Sequence, residues 1–220
     1  MQNYQMTQAS RQYGGARVVF TGLIKGVTSG QYKVDLDTLP DASKGFLPAG
    51  TPVKVNDSPS TRTIEIHYAF EVVAGGSATA VRVKKGWEGT RARVGMNIMI
   101  MPAAVGTAGK AVAITAIDSS NADYDVLTIP TLGSNPAAGT ILVEADQASA
   151  DAARIKVLPN AFLFYDVVKD PHAINMFGVD ALFSQVDGVL LTRRIPPIAG
   201  IIRQHMRDND VYVRYSESRE

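Results

Sequence analysis

Five apolar side chains, Ile64, Ile66, Tyr68, Phe70 and Val72, stand at every second position of one stretch, with Thr63, Glu65, His67 and Glu71 between them. Successive side chains of a β-strand point to opposite faces, so this spacing builds one apolar wall and one wet wall. A helix would scatter the same residues around its circumference. Residues 62–73 are therefore expected to form one strand, with those five side chains in the core and His67 on the solvated face.

Nothing elsewhere competes with that pattern. No long stretch repeats apolar residues at the i, i+3, i+4, i+7 spacing of an amphipathic helix, and only 145–154 and 198–206 suit a short one. Instead, β-rich runs at 17–21, 31–36, 80–84, 97–101, 110–118, 124–129, 140–144, 161–168, 179–185, 188–195 and 211–215 are separated by Gly and Pro steps. Proline presets φ and glycine takes the positive φ other residues avoid, so these steps read as turns. Residues 26–30 read as one such turn, and Asp187-Gly188 as a hairpin step between two apolar runs.

Strands at this spacing predict an all-β chain of short antiparallel strands, in a sandwich or barrel-like domain or domains, behind a flexible N-terminal arm. The expected divisions are a polar arm over 1–16, which is a possible anchor, and a β-rich domain over 17–148. An Ala/Asp-rich linker at 149–156 and a C-terminal β-rich part over 157–220, packed with the preceding domain, complete the chain. Its 220 residues suffice for one β-domain or two smaller ones.

Composition narrows the function classes. The chain has no cysteine, which excludes a disulfide framework, a thiolate metal site and a cysteine nucleophile, and fits assembly in a reducing cytoplasm. A net charge of +1 gives no overall field to gather nucleic acid or anionic membrane. Residues 1–11 are polar, without the apolar core of a signal peptide. No apolar run approaches the roughly 20 residues that span a bilayer.

Catalytic chemistry finds little footing. His67, His172 and His205 lie far apart without metal-ligand spacing, and Asp35/Asp37 and Asp123/Asp125 lack the further ligands and glycine of a calcium loop. No nucleophile elbow, phosphate loop or dinucleotide fingerprint occurs. No catalytic residue, cofactor or metal is therefore expected. Two basic clusters remain as candidate interface residues: Lys84, Lys85, Arg91 and Arg93 around the single tryptophan, Trp87, and the pair Arg193 and Arg194 before Ile195-Pro196-Pro197. Cations beside an aromatic grip single-stranded nucleic acid or anchor on an acidic protein surface. The near-neutral chain favours the protein surface. Tyr4 and Tyr13 give the arm two further anchors.

The run Val81-Arg82-Val83-Lys84-Lys85-Gly86, followed by Arg93-Val94-Gly95-Met96, resembles a segment of head-fibre and capsid-decoration (auxiliary capsid) proteins of tailed bacteriophages, of the Bacteroides-phage and crAss-like type. There a strand ending in a Lys-Gly turn is followed by a Val-Gly lead-in to the next strand. Ala116-Ile117-Asp118, the run from Asn121 to Thr128, and Ala138-Gly139-Thr140-Ile141-Leu142 are similar to that family's strand, Asx-rich turn, strand and Ala-Gly hairpin. Arg194-Ile195-Pro196-Pro197 is similar to its exit segment. The resemblance covers roughly residues 47–198. It implies a virion protein on the capsid exterior, partnered by the major capsid protein and by copies of itself, often as a trimer, with no nucleic acid, membrane or cofactor. A carbohydrate-binding β-module using Trp87 and exposed tyrosines, and a hydrolase or lyase on a β-scaffold, are the alternatives.

Overall fold

The computed structural model describes residues 19–35, 46–58, 61–86, 89–168 and 176–216. In chain order the first strands are β1 (Phe20–Asp35), β2 (Phe46–Leu47), β3 (Pro52–Ser58) and β4 (Thr61–Ile66). There follow β5 (Ala69–Glu71), β6 (Ala80–Lys84), β7 (Asn97–Ile100), β8 (Gly109–Ala113), β9 (Ala116–Asp118), β10 (Tyr124–Thr128), β11 (Ile141–Glu144) and β12 (Ser149–Ala153). The chain closes with β13 (Ala161–Leu163), β14 (Val167–Val168), β15 (Met176–Leu191), a 3-10 turn (Thr192–Arg194), helix α1 (Gly200–Asp208) and β16 (Tyr212–Ser216). The all-β expectation holds, with several antiparallel sheets, and α1 falls where a short helix was predicted. No helix among the described residues is long and apolar enough to cross a membrane.

The chain divides into two compact units: Met1–Ile66 with Pro159–Pro196 and Met206–Glu220, and His67–Leu158 with Pro197–His205. In the first unit β1 runs antiparallel to β15 from the pair Phe20/Leu190 to Asp35/Met176. β4 lies parallel to β1, β3 antiparallel to β4, and β13 antiparallel to both β3 and β15. These pairings close a circuit, although β4 covers β1 only at Lys33 and Val34. β16 adds a parallel strand to β15. Tyr32, Val34, Val53, Ile64, Ile66, Phe162 and Leu163 are buried in this unit.

The second unit joins two sheets at both ends. One is β12-β8-β7-β11-β5 and the other β6-β10-β9. A bridge between Val72 and Val83 links β5 to β6. At the far end β8 and β9 are one chain stretch that changes sheets at the buried Ile114: Ile114 N–H donates to Met96 O at 2.9 Å, and the next residue, Thr115, donates to Thr128 O at 2.8 Å. Gly95 and Gly139 turn the chain at φ 88° and 85°, as their places between apolar runs predict.

Several expectations need correcting. Residues 62–73 form two strands, β4 and β5, and the boundary between units falls at Ile66/His67. All five alternating apolar residues are buried and Glu65 is exposed, but they line two different cores. His67, expected in water, is 1% exposed, because the strand breaks there and its ring turns inward to a backbone carbonyl. Residues 149–156 are not a linker or a helix: β12 pairs with β8 there and buries Ala153, and the second boundary lies at Leu158/Pro159. Neither 26–30 nor Asp187-Gly188 is a turn, since both lie inside the long β1/β15 pairing. Gly188 serves close approach instead. A Cβ there would sit 1.8 Å from Thr21 O.

Candidate functional site

The basic segment that follows β6 is held by its own unit at four points. Lys84 is exposed, and its 3.6 Å ion pair with Glu71 is wet on both sides, so it adds little to stability. Lys85 behaves differently. Its ammonium lies 3.0 Å from Asp125 and donates to the carbonyls of Ser119, at 2.8 Å, and Asn121. Thr90 donates its hydroxyl to the other Asp125 oxygen at 2.5 Å.

Those carbonyls belong to an Asx-rich turn that the sequence builds locally. Asp118 accepts the Ser120 N–H at 2.9 Å and Asn121 accepts the Asp123 N–H at 2.8 Å, the usual use of short acidic and amide side chains at chain reversals. The Ser120 hydrogen bond holds the Asp118 carboxyl below the usual carboxylate range. Lys85 thereby ties this turn to the one after β6. There Gly89 N–H donates to Gly86 O at 3.0 Å, reversing the chain within four residues. Trp87, between those glycines in sequence, lies outside the described residues.

The segment continues into a second anchor. Arg91 is buried at φ 57°, with its guanidinium 5.7 Å from the Tyr68 ring centre. Arg93 lies 5.8 Å from the same ring and donates to Glu144 at 3.1 Å. Lys156 donates to the same Glu144 oxygen at 2.8 Å. Glu144 is buried, and breaking such a pair costs more than forming it returns, because the remaining charge stays desolvated. Burial pushes the Tyr68 phenol well above its ordinary range, against the opposing pull of Arg91 and Arg93, so the ring stays neutral as a platform for two cations.

The expected contact residues are therefore sorted. Lys84 is solvent-facing. Lys85, Arg91 and Arg93 are spent on internal pairs, which corrects the expectation that they face a partner. Arg193 and Arg194 are exposed on the 3-10 turn of the other unit. Tyr4, Tyr13, His172 and Asp37 lie outside the described residues. Asp125 is engaged by Lys85 and Thr90, and no group of three or more His, Cys, Asp or Glu side chains that could hold a metal ion occurs among the described residues.

Glu144 and Asp125 are the anchors that sequence reading missed. Each shares strand parity with a buried leucine, Leu142 and Leu127 respectively. A carboxylate on the core face of a strand, in a chain with basic residues nearby, is the signal that would have found them. Compared with known proteins, this chain matches no family model, no curated sequence and no solved structure.

Proposed function

We propose that the chain is a structural virion protein that decorates the outer capsid surface of a tailed phage as a head-fibre or auxiliary capsid subunit. The observation that carries this reading is an order of elements. The motifs on which the resemblance rests fall on β6 and its Gly86 turn, the Gly95 turn into β7, β9, the Asx turn into β10, and the Gly139 turn into β11. This order of strands and turns agrees with what the resemblance implies, except that β10 and β11 join different sheets and form no hairpin across Ala138-Gly139.

The use of charge agrees with a building role. Lys85, Arg91, Arg93 and Lys156 act as internal ties, fixing loops on a strand framework. A subunit that must hold its shape on a shell needs rigid loops and protected strand edges.

Native mass combined with co-sedimentation on purified procapsids tests the reading. A homo-oligomer that pellets with the shells is expected. A monomer left in the supernatant would overturn it, and glycan binding by that monomer would favour the carbohydrate-binding alternative.

A further inference from the structure

Three strands of the first unit end at one level. Leu191 N–H donates to Val19 O at 2.8 Å, and Leu191 is the register partner of Ser216. Val19 and Ser216 therefore lie at the same end of the β1–β15–β16 sheet. Gly50 meets this end too: a Cβ on it would touch Ile195 Cγ2 at 2.3 Å and Val19 Cβ at 3.8 Å.

The charge there is mostly basic. Arg193 and Arg194 follow Leu191 after Thr192, and Arg214 stands two residues before Ser216; all three are exposed. Neither Arg193 nor Arg214 makes an ion pair among the described residues. Residues 189–194 and 211–216 contain no carboxylate, and Asp166 nearby accepts the Ala49 N–H at 2.6 Å. An aromatic adjoins it. Phe20, which opens β1, stacks on Phe164 at 5.8 Å, Phe164 meets Tyr165 edge-on at 4.2 Å, and Tyr165 is 57% exposed.

We infer that this end, carrying Tyr165, Arg193 and Arg214, is the face by which the subunit docks on an acidic surface of the capsid shell. The inference rests on the capsid-decoration reading and adds which face attaches and what chemistry receives it. Arginine and tyrosine dominate protein interfaces because each offers large contact area with a polar handle. Exposed cations facing carboxylates speed encounter and set orientation, and salt screens them. The ties of Lys85, Arg91 and Arg93 in the second unit leave fewer cations there for such a surface.

The experiment is co-sedimentation of the full chain with shells of the major capsid protein at low and at physiological salt. Wild type is compared with Arg193→Glu/Arg214→Glu, Arg193→Lys/Arg214→Lys and Tyr165→Ser, each checked for native melting temperature. The inference expects at least tenfold weaker binding for the charge reversal, near-wild-type binding for the lysine pair, weakened binding for Tyr165→Ser, and wild-type binding that falls with salt. Equal binding by wild type and the charge-reversed protein, or binding indifferent to salt, would overturn this face while leaving the decoration reading intact. A wild-type chain that never pellets with shells defeats the reading and the inference with it.

Discussion

His67 donates its Nδ1–H to the carbonyl of Val157 at 2.7 Å, joining the first residue of the second unit's main stretch to its last but one. A carbonyl only accepts, so the proton sits on Nδ1 and the Nε2 lone pair is left buried, with no partner among the described residues. Burial lowers the His67 pKa to about 4; the Val157 bond opposes this and the Arg91 charge adds to it. Beyond Arg91, the charges acting on the adjacent Tyr68 are Arg93 and Glu144, and Glu144 is paired with Lys156.

This relationship predicts acid sensitivity with a definite sign. The folded pKa lies below the unfolded value near 6.5, so the unfolded chain takes up its proton first as pH falls. The stabilising effect of neutral His67 is complete above about pH 6.5, declines between there and about pH 4, and is gone below. Over that window it amounts to about 3 kcal/mol. Denaturant curves at pH 7, 5 and 4 should show the loss in wild type, and His67→Gln should lack this component. Parallel pH profiles for the two proteins would count against it.

The alternation at 62–73 spans both units, and mutations separate them. Phe70 is 2% exposed and pairs across from Leu142 in the second unit. Phe70→Ala should destabilise by about 3–5 kcal/mol, combining lost transfer energy with the cavity left behind. Ile64→Ala, 4% exposed in the first unit, should cost about 2–5 kcal/mol. Hydrogen exchange should accelerate in β5, β7 and β11 for the former and in β1, β3 and β4 for the latter. Identical exchange maps would mean that the two residues serve one core.

How far the fold could be read in advance depended on whether a signal was local. Parity within a strand is local, which is why Ile64, Phe70 and Val72 were placed correctly. Which core a strand faces is not, and nothing at Ile66-His67 marks a change of unit beyond a histidine on the polar parity. Glycine misled for a related reason. Gly188 after Asp187 has the composition of a hairpin turn, yet its role is to let Thr21 O pass close by, a partner far away in sequence. The candidate contact residues suffered likewise: Lys85 and Arg93 read as solvent-facing cations because Asp125 and Glu144, which hold them, lie on other strands.

Glu144 should behave as a shared keystone for Arg93 and Lys156. Glu144→Ala strands two cations whose side chains are 23% and 38% exposed, so partial rehydration softens the loss to about 2–3 kcal/mol. The double variant Glu144→Ala/Arg93→Ala should be less destabilised than the two single losses together, because the singles remove the same interaction. Strict additivity in a double-mutant cycle would sink this account.

Removing residues 1–12 should separate attachment from folding. Their polar composition offers no core to bury, while Tyr4 and Met6 can anchor on a neighbour. The melting temperature of the truncated subunit should stay within a few degrees of the full chain, and its recovery on shells should fall. Equal shell occupancy with and without these residues would exclude a role in attachment.

The turn between Gly86 and Gly89 carries the last expectation. Lys85 and Thr90, immediately outside those glycines, are both fixed on Asp125, so the reversal starts and ends on rigid points. Trp87 lies between those glycines in sequence, and a tryptophan offers large contact area with a polar handle. Trp87→Ala is therefore expected to weaken association, with copies of the chain or with the shell, while subunit stability changes by less than about 1 kcal/mol. If the ring instead folds back as a lid on its own sheet, the same substitution lowers stability by about 3–5 kcal/mol and leaves association per folded molecule unchanged. Denaturant midpoint and native mass, measured on the one variant, decide between the two, because a contact residue moves only the second and a lid only the first.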